Sequence, residues 1–86
     1  MTDTELKNTE DTAGFFFSPE ETAIICEFPD SFLDREDFQR AYKKGRLKRE
    51  LALRKSVIEL AVSGSSPAQV LAVQMLEKSK LDTIRT

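Results

Sequence analysis

An all-α fold is predicted by three features of this 86-residue chain. Two Ser-Pro pairs, Ser18-Pro19 and Ser66-Pro67, read as helix starts, each with Glu or Gln three residues after the serine. Apolar residues between Tyr42 and Leu76 recur at helical spacing. No stretch alternates apolar and polar residues with the period of two that a strand requires, and no Gly-rich phosphate loop or internal repeat is present. The expected architecture is a short helix-turn-helix-like N-terminal part, then a long helix and a final helix forming an oligomerising hairpin.

Residues 1–13 are polar, rich in Thr, Asp and Glu, with one Leu. They are read as a disordered acidic tail. A helix-turn-helix-like segment is expected over residues 14–45. It opens on Phe15-Phe16-Phe17, read as core anchors or a capping segment, with a docking peptide as the sharper alternative. In the first helix Ser18 is the N-cap, Pro19 takes the first position and Glu21 completes a capping box. Glu20 and Glu21 favour the positive end of the helix dipole. Pro29 disfavours helix in the residue before it, so this helix stops by Glu27-Phe28.

Ser31 is expected to open a helix over residues 32–63, with Asp34 at the capping-box position and Gly45 as the place for a kink, since glycine costs about 1 kcal/mol relative to alanine inside a helix. Gly64 is the natural C-cap. The last helix is expected from Pro67 to Lys78 or Lys80, with Ser66 as N-cap and a frayed tail over residues 81–86. Residues 46–80 then make the helical hairpin.

The apolar faces of that hairpin carry the first functional expectation. At 100° per residue, Leu47, Leu51, Ile58 and Val62 form one stripe, and Tyr42, Leu53, Val57 and Leu60 form another. Ala68, Val70, Leu71, Ala72, Val73, Met75 and Leu76 lie nearly all round the last helix. A helix apolar all round is buried on several sides, and a chain this short buries only about 60% of its unfolded surface. Self-association through Leu47, Leu51, Leu53, Val57, Ile58, Leu60, Val70, Leu71, Val73, Met75 and Leu76 is therefore expected. The bland alternative is a monomer covered by the Phe15-Phe16-Phe17 segment and the first helix.

The net charge of −2 hides a split. Residues 1–37 hold eleven acids and two bases, a net −9; residues 38–86 hold eleven bases and four acids, a net +7. Such asymmetry points to a polyanion-binding part and an acidic arm. Arg40, Lys43, Lys44, Arg46, Lys48, Arg49, Arg54 and Lys55 fall within sixteen residues, with Glu50 as the only acid. The segment attracts phosphates without reading sequence. The competing reading is a solvated helix surface, paired in part with residues 30–37 or with a neighbouring subunit.

Enzyme chemistry is not expected. The chain has no histidine, which removes the usual general base and the commonest zinc ligand, and Ser/His/Asp or Cys/His triads with it. Ser65-Ser66 has no accompanying base and reads as a cap. Asp34, Glu36 and Asp37 lack the spacing of a calcium loop and read as helix-start acids, so neither metal nor cofactor is expected. Cys26 is the only cysteine, which excludes an internal disulfide and suits a reducing cytoplasm. The acidic N-terminus does not read as a secretory signal, and no apolar run of about 20 residues reads as a membrane span.

The order of these features resembles small terminase subunits of tailed bacteriophages. Ser18-Pro19-Glu20-Glu21-Thr22-Ala23-Ile24-Ile25 is similar to a helix of their helix-turn-helix segment, and Asp37-Phe38-Gln39-Arg40-Ala41-Tyr42-Lys43-Lys44-Gly45-Arg46 to the motif that follows it. The run from Leu53 to Ala68 resembles the part where the long helix turns into the final one. The likeness covers about residues 18–80. It implies a non-catalytic DNA-packaging component in the host cytoplasm that forms a homo-oligomeric ring, binds double-stranded DNA and regulates a large terminase subunit carrying ATPase and nuclease. Residues 30–37 are acidic and short where that family reads bases. DNA contact is therefore expected from residues 40–55, through phosphates. The alternative, from another class, is a helical scaffold with an acidic protein partner; a helix-turn-helix transcription factor ranks below both.

Overall fold

The computed structural model describes residues 1–85, with side chains for residues 1–81. The fold is all-α: among the described residues there are four α-helices, α1 (Asp3–Ala13), α2 (Pro19–Ile25), α3 (Glu36–Val62) and α4 (Ser66–Arg85), one 3-10 turn (Asp30–Asp34), and no strand. The chain divides into two compact units, Met1–Leu51 and Ala52–Thr86. No helix among the described residues is long and apolar enough to cross a membrane.

Within residues 1–13, which the composition predicts as a disordered tail, Asp3–Ala13 forms helix α1. Thr2 and Glu5 make a full capping box. The Thr2 hydroxyl accepts from the Glu5 amide at 3.1 Å, and the Glu5 carboxylate accepts from the Thr2 amide at 2.8 Å. Burial then comes from small residues. Thr9 and Ala13 are fully buried, and the Thr9 hydroxyl is satisfied by donating to the Glu5 carbonyl. A polar composition is compatible with docking when the docked face is Thr, Ala and Gly.

The capping box at Ser18 and Glu21 forms as expected, with Pro19 at the first position of α2. The C-terminus of α2 is a Schellman motif. Phe28 donates to the Ala23 carbonyl and Glu27 to the Ile24 carbonyl, with Glu27 left-handed at φ 59°. The chain then makes the 3-10 turn where Ser31 was expected to start a helix. Arg35 is extended and ends that turn. Its guanidinium holds Asp37 through two hydrogen bonds of 3.0 and 3.2 Å, while Asp37 accepts from the Phe38 amide. The long helix therefore starts at Glu36, with the Arg35 carbonyl accepting its first bond from Gln39.

Phe38, wholly buried, is the centre of the first unit. Phe28 meets its ring edge-on at 6.4 Å and also meets Phe32 at 5.1 Å; Tyr42 stacks on Phe38 at 6.5 Å. Ala13, Ala23 and Ala41 complete the buried apolar set in this unit. Phe15-Phe16-Phe17 is not part of that core. These rings are 66%, 45% and 39% exposed, because the chain leaves α1 through Phe16 in a left-handed conformation, φ 67°.

Helix α3 passes Gly45 without a break. The glycine serves a close approach instead of a kink. A Cβ there would lie 2.0 Å from the Glu10 carbonyl oxygen and under 3 Å from two more Glu10 backbone atoms. Gly14 faces the same crossing, with the Gly45 carbonyl 3.6 Å from where its Cβ would be.

In the second unit, Gly64 at φ 100° ends α3 as the expected C-cap, with Ser65 donating to the Leu60 carbonyl. The cap of α4 is Ser65, not Ser66. Its hydroxyl accepts from the Ala68 amide at 3.5 Å and its carbonyl from Gln69. The Gln69 side chain reaches back to the Ala61 carbonyl, so it ties the two helices together instead of closing a box. The seam of this hairpin is narrow. Ala68 is buried, while Val57, Ala61, Ala72 and Met75 are half-buried. Helix α4 continues through Arg85 where fraying from Leu81 was expected; Thr86 and the side chains beyond Leu81 lie outside the described residues.

Gly45→Ala is expected to destabilise the protein by about 2 kcal/mol or more. The clash is with backbone, which no rotamer change relieves, and it exceeds the gain of about 1 kcal/mol in helix propensity. Chemical denaturation followed by circular dichroism measures the net sign.

Candidate nucleic-acid interface

Of the eight bases singled out in the sequence, six belong to the first unit, and the structure sorts them into two sets. Arg40, Lys43, Lys44 and Lys48 lie along one face of α3, at the helical spacing of three and four. They line an open groove of about 800 Å³ with an apolar floor of Leu6, Ala41, Leu47 and Leu51. Glu10 and Asp37 supply its acids.

Glu10 was not anticipated as part of this site. Its carboxylate pairs with Lys44 at 3.8 Å and accepts a hydrogen bond from Lys48. The crossing at Gly45 puts it there, since these lysines flank the glycine along α3. The Lys48 hydrogen bond, opposed by partial burial and helped by Lys44 and Lys7, holds the Glu10 carboxyl below its ordinary pKa. Asp37 is lowered further, first by the Arg35 hydrogen bond and then by the Met1 ammonium 3.0 Å away. Two of the four groove bases are thus partly neutralised from within the chain, whereas Arg40 and Lys43 are exposed along its edge.

The second set is Arg46 and Arg49, which face the exposed phenylalanines. Arg49 lies over the Phe15 ring at 5.0 Å; Arg46 lies over Phe16 at 5.4 Å and over Tyr42 at 5.8 Å. Arg46 also donates to the Tyr42 hydroxyl at 2.9 Å, and that hydroxyl donates to the Phe17 carbonyl at 2.6 Å. Arg54 and Lys55 belong to the second unit. Arg54 is half-buried and engaged, and Lys55 is exposed.

The residues expected at an oligomer interface are mostly on the surface. In the second unit Leu53, Ile58, Leu60, Val70, Leu71, Val73 and Leu76 are all about half exposed, and Val62 is more so. Val57 and Met75 differ, because the hairpin's own seam takes part of their surface. Leu47 and Leu51 are half exposed in the first unit, at the groove.

Glu10 and Asp37 have folded pKa values below their ordinary 4.5 and 3.8. Each therefore stabilises the fold above its unfolded pKa, and that contribution disappears as pH falls through the folded value. The melting temperature is expected to hold from pH 7 to about 5 and to drop below about pH 4, with a smaller acid drop in Glu10→Gln. Melts across pH on both proteins check this. The same substitution is expected to leave Lys44 and Lys48 without their carboxylate partner.

No family model, curated protein or solved structure matches this chain.

Proposed function

We propose that this chain is a non-catalytic, self-assembling DNA-binding subunit of the kind that small terminase subunits represent: an oligomer that holds viral double-stranded DNA during packaging, in the host cytoplasm, and regulates a large terminase subunit. The observation that carries the assembly half is the surplus of apolar surface on the second unit. A hairpin whose own seam uses Val57, Ala61, Ala68, Ala72 and Met75 leaves Leu53, Ile58, Leu60, Val70, Leu71 and Val73 facing outward. That amount of exposed aliphatic surface on one helical hairpin is the composition of an interface core. Copies related by closed symmetry bury it on both sides, and a ring is the form that the terminase resemblance implies.

The DNA half rests on the exposed bases of α3. Phosphate contacts from Arg40, Lys43 and Lys55, with Lys44 and Lys48 available on competition with Glu10, are individually weak and independent of sequence. In an oligomer each subunit repeats them, and simultaneous engagement multiplies affinity without any new contact. The second reading, a helical scaffold with an acidic protein partner, is favoured by one observation: the basic edge of the groove borders a floor of Leu6, Leu47 and Leu51. Such a surface suits an acidic amphipathic helix.

Native mass and salt-dependent binding separate these readings. The wild-type chain is expected to run as an oligomer, well above its 9.8 kDa subunit mass. Leu60→Glu with Leu71→Glu is expected to shift it to monomer and to weaken duplex binding by tenfold or more. Arg40→Ala with Lys43→Ala is expected to preserve the oligomer and lower the salt slope by about 2 per subunit engaged. A monomeric wild type, or an absence of duplex binding at low salt, removes the packaging reading.

A further inference from the structure

We infer that Phe15, Phe16, Arg46 and Arg49 form a stacking platform for the unpaired bases of single-stranded nucleic acid, separate from the phosphate contacts that duplex DNA would make. Three features meet at this place.

The first is exposure. Phe15 is 66% and Phe16 45% exposed, while the core is closed around Phe38 by other rings. Neither ring belongs to that core. The second is backbone conformation. Phe16 sits at φ 67°, a left-handed position that bulky residues rarely adopt. The surroundings hold it there. Phe16 donates to the Ala13 carbonyl at 3.0 Å, and the next carbonyl, of Phe17, is held by the Tyr42 hydroxyl. Outliers of this kind, held by their neighbours, are common at ligand sites.

The third is chemistry. A guanidinium lies over each ring, at 5.0 Å for Arg49 on Phe15 and 5.4 Å for Arg46 on Phe16. An arginine on one side of a ring leaves the rest of an exposed ring open to a planar π-system. Its remaining N–H donors suit a phosphate oxygen, since a guanidinium carries five and Arg46 spends one on Tyr42. Aromatic faces next to arginines are the combination by which proteins hold single strands without sequence preference, the bases stacking and the backbone following the charge. A duplex keeps its bases stacked on one another and offers no free face. An acidic peptide would use the arginines but leave the rings without a partner.

The chain has no tryptophan, so Phe15→Trp places a single reporter in the platform. Its fluorescence is followed on titration with a 20-nucleotide oligo-dT, an abasic strand of equal length and a duplex of equal length. Oligo-dT is expected to quench it strongly, with the abasic strand and the duplex giving little quenching at matched occupancy. In anisotropy measurements Phe15→Ala is expected to lose about tenfold in oligo-dT affinity and to change duplex affinity by less than about twofold, with an unchanged far-UV spectrum. Arg49→Lys, which keeps the charge but not the planar group, is expected to lose part of the oligo-dT affinity. Equal quenching by the abasic strand, or oligo-dT affinity indifferent to Phe15→Ala, overturns the inference. Equal losses for oligo-dT and duplex in Phe15→Ala also overturn it, since they place the ring in general polyanion binding or in assembly. The platform stands apart from the packaging reading: a monomer that binds oligo-dT through Phe15 supports the one while removing the other.

Discussion

The approach of α1 to α3 at Gly45 organises the first unit. The Glu10 backbone occupies the space that any other residue at position 45 would fill. Ridge-and-groove packing between helices with side chains holds their axes about 8–10 Å apart; removing a Cβ at the crossing lets one backbone lie against the other. The consequence is electrostatic as much as steric. The crossing residue on α1 is an acid, and the residues one before and three after the glycine on α3 are Lys44 and Lys48. A small-residue contact thus sets an ion pair, and the ion pair in turn helps hold a helix that has little apolar surface of its own.

The same economy marks the core. The wholly buried large side chain is Phe38, and the remaining buried apolar residues are alanines. Burying an alanine contributes roughly one methyl group, so each removes far less surface from water than a leucine would. Among the described residues most leucines and isoleucines are instead displayed, on α2, at the groove and on both helices of the hairpin. The hairpin carries most of that exposed aliphatic surface, and the proposed self-assembly rests on it.

Local signals were legible in the sequence where the local chemistry decides the outcome. Ser18-Pro19-x-Glu21, Pro29 and Gly64 each act within one helical turn, and each ends or starts a helix where expected. The local rule fails where a tertiary contact competes with it. Ser31 had a cap signature, but the hold of Arg35 on Asp37 moved the start of α3 to Glu36. Ser66 preceded a proline, but the turn at Gly64 brought Ser65 into the capping position. Composition alone predicts a tail over residues 1–13, although Thr2-x-x-Glu5 is the same capping box as Ser18-x-x-Glu21. What composition could not show is that Gly45 and Gly14 prepare a seat for a helix with a face of Thr and Ala. For the candidate site, the identity of the bases was legible from their density along the chain. Their division was not, because it depends on which side of α3 meets Glu10 and which meets Phe15 and Phe16.

That division changes the meaning of the charge split. An acidic N-terminal part and a basic C-terminal part look like an arm and a binding surface, independent of each other. Glu10 is instead folded onto the basic helix and occupies two of its lysines, so a phosphate must compete with a carboxylate already in place. Competition of this kind sharpens discrimination, since a single phosphate gains little by replacing one anion with another, whereas a dense array of phosphates gains at every exposed base around it. Arg46 and Arg49 instead lie over the Phe16 and Phe15 rings and present an aromatic surface with charge attached. Under the proposed function and the inferred platform, one helix carries two kinds of anion recognition on different faces, one graded by charge density and salt, the other by the presence of a flat partner to stack.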